Sequence, residues 1–149
     1  MDALSQNKAI NILRKIPLFA GLENQDYQLL LGICKIGRYH VGNVVFRENE
    51  PSTAMYVQLS GETELESMTN GSIYRMGPGD LFGEIGVISL AQRTATATIS
   101  QDAMLLELDK DKFEFLQGQN PLVMARILRN VAKVLAERLI NCGNHRYIL

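Results

Sequence analysis

Short runs of β-prone residues alternate with turn-forming residues through the middle of the chain, from Arg38 to Asp109. Gly, Pro, Asn or Asp separates successive runs, and Asn70-Gly71 is the strongest hairpin signal among them. Many short strands with turn signals at regular spacing are typical of an all-β sandwich or barrel. The sequence therefore predicts a β core over about residues 38–109, with strands within residues 43–46, 55–59, 63–66, 73–76, 93–99 and 103–108.

Helical periodicity precedes this core. Apolar residues fall near helical spacing over residues 3–16, and Pro17 ends the pattern. A second, shorter helix is predicted over about residues 24–35, with Asn24 as its N-cap and Cys34 in its apolar stripe. The sequence thus predicts N-terminal helices over about residues 3–35.

The helical pattern returns after the core. Residues 111–117 predict a short helix that Gly118 ends. Asn120 is then placed to cap a long helix, with Pro121 at its first position and its end at about Asn141. The predicted architecture is mainly β with flanking helices, an α+β fold with a C-terminal helix pair over about residues 110–141.

A length of 149 residues fits one compact domain over residues 1–149, and 46% hydrophobic and 21% charged residues are an ordinary globular balance. A net charge of −1 gives no electrostatic basis for binding nucleic acid or an anionic membrane. The apolar runs are too short to span a bilayer, and no secretory signal is visible. Cys34 and Cys142 lie far apart and fit reduced thiols in a cytoplasmic protein better than a disulfide.

The chemistry is concentrated in residues 79–96, where a glycine-rich turn, a short apolar helix and an arginine follow one another. Gly83 and Gly86 leave little side chain near the helix start, so backbone N–H groups can approach an anion closely. Arg93 supplies a planar, permanently charged guanidinium that suits a phosphate. Glu84 is an acceptor for hydroxyl groups. Together these residues predict a site for a ligand with one phosphate and free hydroxyls.

This segment resembles the phosphate-binding cassette of cyclic nucleotide-binding domains. That family includes the catabolite activator protein, the regulatory subunits of cyclic-nucleotide-dependent kinases, and gated ion channels. Three stretches match the pattern of its kinase and channel branches, with the same spacing from the glutamate to the arginine: Phe82-Gly83-Glu84-Ile85, Val87-Ile88 and Arg93-Thr94-Ala95. The resemblance covers about 125 of the 149 residues and implies a β jelly-roll barrel.

The resemblance also implies a function, namely reversible binding of a cyclic nucleotide, cAMP or cGMP, with no other cofactor. It implies that Glu84 binds the ribose 2′-hydroxyl and Arg93 the cyclic phosphate. Backbone N–H groups complete the phosphate site, and a threonine beside the arginine often accompanies cGMP recognition, although cAMP receptors carry it too. The candidate ligand-binding residues are Phe82, Gly83, Glu84, Ile85, Gly86, Val87, Arg93, Thr94 and Ala95.

Three residues depart from the family pattern. Gly86 stands where Ala is usual, a change we expect to be tolerated because it only shrinks a side chain. Gln92 stands where Pro is usual, which removes a rigid turn but no contact group. Asn49 stands where Gly is frequent, and Asn tolerates a left-handed backbone better than most residues.

The last helix carries two further predictions. The family resemblance implies that it closes as a lid over the base, with the lid candidates Val134, Leu135, Arg138 and Leu139. Its apolar residues also recur at spacings close to a coiled-coil seam, which predicts a homodimer through Leu128, Val131, Leu135 and Leu139. The same residues packing on their own β core give a monomer instead. The regulated effector is expected in trans or in a longer chain.

Two other classes of protein compete with a nucleotide sensor. A β-barrel enzyme of the cupin kind needs a cluster of metal ligands, whereas this chain has only His40 and His145, without companion ligands at a suitable spacing. The sequence therefore predicts no enzyme and no metal site. The second alternative is a scaffold that kept the fold, lost the ligand and acts in protein–protein interaction.

Overall fold

The computed structural model describes residues 2–141, and the chain divides into two compact units. Among the described residues, 2–29 and 116–141 form the helical unit, and 30–115 form the β unit. The helical elements are α1 (Ala3–Arg14), a 3-10 turn (Pro17–Phe19), α2 (Asn24–Leu31), α3 (Glu84–Ser89), α4 (Lys110–Gln119) and α5 (Pro121–Asn141). The strands are β1 (Cys34–Tyr39), β2 (Val44–Phe46), β3 (Ala54–Glu66), β4 (Ile73–Met76), β5 (Leu81–Phe82) and β6 (Thr96–Asp109).

The β unit is an antiparallel sheet in the order β1-β6-β3-β4. The short strand β2 pairs with β6, and β5 pairs with β3. The central pair, β3 and β6, therefore carries all the other strands on its two outer edges. A cluster of buried side chains fills this unit: Phe46, Ala54, Tyr56, Phe82, Ala97, Ile99, Ala103 and Leu105. The predicted α+β architecture, with helices before and after a jelly-roll-like β core along the chain, is confirmed.

The two central strands are longer than the sequence predicts. Residues 55–59 and 63–66, predicted as separate strands around Gly61, form the single 13-residue strand β3. Gly61 lies inside that strand, in the left-handed region at φ +74°, and a Cβ there would come within 2.1 Å of the Asp102 carbonyl oxygen. The strands predicted at 93–99 and 103–108 likewise merge into the 14-residue β6, which begins at Thr96.

The hairpin predicted at Asn70-Gly71 joins β3 to β4. Glu66 pairs with Ile73, so residues 67–72 form the connection. The Gly71 N–H donates to the Ser67 carbonyl oxygen at 2.8 Å, and Gly71 adopts a left-handed φ of 71°. The hairpin is therefore confirmed, with a longer connection than a two-residue turn.

The first helix of the helical unit is capped by Asp2, whose side chain accepts from the Ser5 N–H at 2.7 Å. α1 ends at Arg14, and Pro17 begins a 3-10 turn. The predicted extent of the second helix is wrong, because α2 ends at Leu31 and Cys34 is the first residue of β1.

The capping prediction for α2 is also wrong. Asn24 is the first residue of that helix, and its side chain accepts from the Arg14 guanidinium. The Asp26 carboxylate accepts from the Glu23 N–H at 2.9 Å instead. A carboxylate in the first turn thus occupies the place in which acidic side chains stabilise a helix start.

The cap predicted for α5 is confirmed. Asn120 Oδ1 accepts from the Val123 N–H at 3.2 Å, and Pro121 is the first residue of α5. The preceding helix, predicted to end at Gly118, runs through that glycine to Gln119. Within the helical unit, the Asn130 side chain donates to the carbonyl oxygens of Leu18 and Ala20, at 2.9 and 3.0 Å.

Among residues 2–141, no helix combines the length and apolar character needed to cross a bilayer. Within the same residues, no group of three or more His, Cys, Asp or Glu side chains is placed to hold a metal ion. Burial raises the pKa of the Cys34 thiol to about 12, so this thiol is protonated at neutral pH. Cys142 and His145 lie outside the described residues.

Candidate phosphate-binding site

The turn from β5 into α3 depends on Gly83. β5 pairs with β3 through Tyr56 and Phe82, and Gly83 then takes a left-handed φ of 74° immediately before Glu84. A Cβ at Gly83 would lie 2.9 Å from Nη1 of Arg93. The left-handed backbone and the close guanidinium both require a residue without a side chain here. The close approach of an anion to backbone N–H groups near Gly83 stays a prediction; in this structure the Arg93 guanidinium approaches Gly83 and donates to its carbonyl oxygen.

Arg93 is buried beneath this turn, with 4% of its surface exposed. Its Nη1 donates to the Gly83 carbonyl oxygen at 3.0 Å, and its Nη2 donates to the Ala54 carbonyl oxygen at 2.7 Å. Its Nε is the buried side-chain polar atom that lacks a hydrogen-bond partner within residues 2–141. Arg93 precedes β6, although the sequence pattern predicts it inside that strand.

Burial lowers the pKa of the Arg93 guanidinium, while Tyr56 and the carboxylates of Glu50 and Glu84 act to raise it. The guanidinium keeps its charge at neutral pH, because an arginine is protonated across the physiological range. A positive charge with an unpaired N–H in a buried position is suited to an anionic ligand.

Two aromatic rings, those of Phe46 and Tyr56, lie near the guanidinium, and the Phe82 ring packs against both of them. The Tyr56 and Phe82 rings stack with centroids 5.4 Å apart, and the Phe46 ring lies 6.0 Å from Tyr56 and 6.1 Å from Phe82. The guanidinium carbon of Arg93 lies 4.0 Å from the Phe46 centroid and 6.0 Å from that of Tyr56. Burial, followed by the charge of Glu107, raises the pKa of Tyr56 to about 12, so its hydroxyl is neutral. The sequence pattern assigned neither Phe46 nor Tyr56 to the site.

The loop between β2 and β3 fixes the backbone of Arg93. The Asn49 N–H donates to the Arg93 carbonyl oxygen at 2.8 Å, and the Arg93 N–H donates to the Glu50 carbonyl oxygen at 2.9 Å. Asn49 adopts a left-handed φ of 71°. The expectation that asparagine sustains this turn in place of glycine is confirmed.

The remaining predicted site residues differ in exposure. Glu84 is buried in the first turn of α3, with 3% of its surface exposed, and Val87 is buried on the same helix. Ile85 is exposed on α3. Thr94 is exposed and Ala95 half-buried, both before β6 begins. The structure thus brings Gly83 and Arg93 into contact and leaves Thr94 facing outward.

The predicted lid residues belong to α5 in the helical unit. Val134, Leu135 and Arg138 are half-buried, and Leu139 is exposed. The role of these four residues as a lid stays a prediction.

Residues 36–120 match the family profile of the cyclic nucleotide-binding domain. The chain belongs to this family. The match includes every residue of the candidate site described above, from Phe46 to Ala95. Members of the family are regulatory modules that bind cyclic nucleotides.

The domain is similar to the cyclic AMP receptor protein of Thermus thermophilus, with 32% identity over 127 residues, which cover 83% of this chain and 57% of that protein. A cyclic nucleotide-binding domain from Methylobacillus flagellatus has the same fold, with a TM-score of 0.80, 20% identity, and coverage of 97% of this chain and 83% of that one. The regulatory subunit of a cAMP-independent protein kinase A from Trypanosoma brucei shares it too, with a TM-score of 0.74, 19% identity, and coverage of 96% and 48%.

The chain spans less than two thirds of the length of the curated relatives it matches, for example 57% of the Thermus protein. A cyclic nucleotide-binding domain is therefore common to these proteins, and the remaining parts of the relatives lie outside the matched residues.

Proposed function

We propose that this domain binds one cyclic nucleotide per chain, with the cyclic phosphate at Arg93. The buried guanidinium carries the proposal, because its Nε–H has no partner within residues 2–141. A buried donor without an acceptor costs about 1–3 kcal/mol, and more when the group is charged. A phosphate oxygen at Nε removes this cost and supplies a charge-assisted hydrogen bond.

Groups near Arg93 can bind the other phosphate oxygens and the ribose of the nucleotide. Gly86 is the third residue of α3, so its N–H group has no carbonyl partner within the helix, and the N–H group of Val87 follows it. We assign these N–H groups, with that of Thr94, to the phosphate. We assign the Glu84 carboxylate to the ribose 2′-hydroxyl, because an ionised carboxylate only accepts hydrogen bonds and a hydroxyl donates one.

We assign the contact with the base to the Thr94 hydroxyl, because Thr94 is exposed and its hydroxyl can face a ligand. cAMP and cGMP are both candidates, since they share the ribose and the cyclic phosphate. In this proposal, nucleotide binding shifts the equilibrium between two states of the domain, and α5 responds as the lid. Such a shift requires the nucleotide to bind one state more tightly than the other.

Isothermal titration calorimetry with cAMP and cGMP tests the proposal, with the non-cyclic 5′-monophosphates as matched controls. We expect one site per chain, with the cyclic forms bound more tightly. Arg93→Ala should abolish most of the heat. Absence of both heat and thermal shift at millimolar cyclic nucleotide contradicts the proposal.

The alternative, a scaffold without a ligand, also has an observation in its favour. Both Nη atoms of Arg93 already donate to carbonyl oxygens, and the guanidinium is almost fully buried. An arginine held this way also serves as a structural link between β3 and the turn before α3. The same titration separates the alternatives, because a scaffold is stabilised by neither nucleotide.

A further inference from the structure

Ser52 fills the space beside Gly86 in which a side chain would otherwise lie. A Cβ at position 86 would lie 1.7 Å from Ser52 Oγ and 2.4 Å from Ser52 Cβ. Both distances are far below van der Waals contact, so the two positions cannot both carry side chains in this arrangement. The glycine at position 86 is therefore more than a shortened alanine: its missing methyl group makes room for Ser52.

The Ser52 hydroxyl also holds the segment that follows α3. It donates to the Ala91 carbonyl oxygen at 2.9 Å, and Ser52 is buried. Ser52 thus contacts α3 at Gly86 and the chain two residues before Arg93. The same loop fixes the Arg93 backbone through Asn49 and Glu50.

We infer that Ser52 is a positioning residue for the phosphate site, an inference that rests on the proposed function. Its packing against Gly86 sets where the α3 backbone lies, and its hydrogen bond to Ala91 sets the path of the chain into Arg93. These are the two sources of phosphate contacts in the proposed site. Ser52 itself does not contact the ligand; it fixes the separation between the groups that do.

The close approach of Ser52 and Gly86 also limits the sizes of the side chains at these two positions. Position 86 accepts a larger residue only when position 52 loses its side chain. Ser52→Gly removes the two atoms that a methyl group at position 86 would approach most closely, and it leaves the Ala91 carbonyl oxygen, 2.9 Å away, as the remaining close neighbour. Once its hydrogen bond to Ser52 is gone, that carbonyl can shift by the few tenths of an ångström that an alanine needs.

The test measures cAMP and cGMP affinities and ligand-free unfolding midpoints for Ser52→Ala, Gly86→Ala and the double variant Ser52→Gly/Gly86→Ala. Ser72→Ala, in the β3–β4 connection, is the matched control. We expect Ser52→Ala to weaken both nucleotides by the same factor, about 3- to 10-fold, because the cyclic phosphate is common to both. Gly86→Ala should weaken binding further, and the double variant should recover part of the loss.

The Arg93→Lys background distinguishes a role of Ser52 in positioning the phosphate site from a purely structural role. There the phosphate contact is already impaired, so Ser52→Ala should weaken binding by less than about twofold. The inference is overturned if Ser52→Ala binds the nucleotides as tightly as Ser72→Ala does, or if Ser52→Ala loses as much affinity in the Arg93→Lys background as in the wild type. In either case, nucleotide binding by the wild type still supports the proposed function. If the wild type binds neither nucleotide, the proposed function and this inference both fail. If Gly86→Ala does not fold, the Ser52→Ala comparison in the two backgrounds decides.

Discussion

The guanidinium carbon of Arg93 lies 4.0 Å from the centroid of the Phe46 ring, which is close enough for a cation–π interaction. Phe46 also belongs to the buried cluster of the β unit, so the same ring stabilises the fold and orients the candidate phosphate ligand. The stability of the core and the geometry of the site are therefore linked through one side chain.

Phe46→Leu should lower the free energy of unfolding by about 1–3 kcal/mol, because it removes ring contacts and the cation–π interaction together. Phe82→Leu is the matched control, since it removes a ring of the same cluster that does not lie over the guanidinium. Denaturant titration measures both. In an Arg93→Met background the excess cost of Phe46→Leu should vanish; an unchanged excess would assign it to packing alone.

Arg93→Ala should weaken nucleotide binding by about 2–5 kcal/mol, the cost of losing a desolvated charge-assisted contact. Thr94→Ala should cost only about 0.5–1.5 kcal/mol, because it removes one neutral hydroxyl. Arg93→Lys should recover part of the loss, since an ammonium keeps the charge without the planar fork. Calorimetry on the three variants measures this order. Equal affinities for wild type and Arg93→Ala would place the phosphate elsewhere.

Gly83→Ala should destabilise the domain by about 1–2 kcal/mol from the left-handed backbone alone. The added methyl group also lies 2.9 Å from Nη1 of Arg93 and should displace the guanidinium, so nucleotide affinity should fall as well. Gly71→Ala is the control, because that glycine has a similar φ of 71° and a methyl group there would meet no atom within 4 Å. If the two variants lose equal affinity, the contact with Arg93 is unimportant.

Glu48→Gln should reduce stability at neutral pH. The Glu48 carboxylate accepts from the Thr69 hydroxyl at 2.8 Å and the Met68 N–H at 3.0 Å, and these bonds lower its pKa below the ordinary 4.5. A lowered folded-state pKa gives stability that is present above pH 4.5 and is lost as the pH falls through the folded-state pKa. The difference between wild type and Glu48→Gln, measured by urea titrations at several pH values, should therefore shrink in acid. A difference that stays constant from neutral pH into acid contradicts this prediction.

The homodimer predicted through α5 requires a different set of interface residues from the one that the sequence predicts. Val131 is buried, with 2% of its surface exposed, so it is not available to a second chain as the sequence pattern predicts. Leu128 and Leu139 are exposed, as are Ala125, three residues before Leu128, and Ala132, four residues after it. Leu128→Arg should raise the dimer dissociation constant about tenfold or more. Sedimentation with and without nucleotide measures it, with Ile12→Arg as the control; a monomeric wild type refutes the dimer.

Much of the fold follows from periodicity, and the errors lie where two patterns overlap. Cys34 fits both a helical stripe and the start of a strand, because a short apolar run is compatible with either period. The sequence predicts that a strand ends at Gly61, because glycine is rare inside strands. In the structure the Asp102 backbone lies so close to position 61 that only a glycine fits inside the strand. Local sequence does not contain that neighbour, which comes from the distant strand β6.

The residues of the candidate site also fall into those that the sequence predicts and those that it does not. Gly83, Glu84 and Arg93 are recognisable because they lie close together in sequence with a distinctive spacing. Phe46 and Ser52 are not recognisable in this way, because each precedes Gly83 by more than 30 positions and reaches the site only through loop and strand pairing. Their roles depend on contacts, and a side chain of either type has no signature of its own.

The helical unit is assembled from two separate segments, residues 2–29 and 116–141, while the β unit is continuous. During synthesis on the ribosome, α1 and the 3-10 turn emerge before the β unit, but Asn130, which donates to the Leu18 and Ala20 carbonyl oxygens, emerges 110 residues after Ala20. The β unit is thus complete before the early helices acquire their partner on α5. A nascent chain therefore exposes the whole β unit before Asn130 has left the ribosome, and a chain stalled with a tail long enough to bring residue 115 out of the exit tunnel isolates that stage.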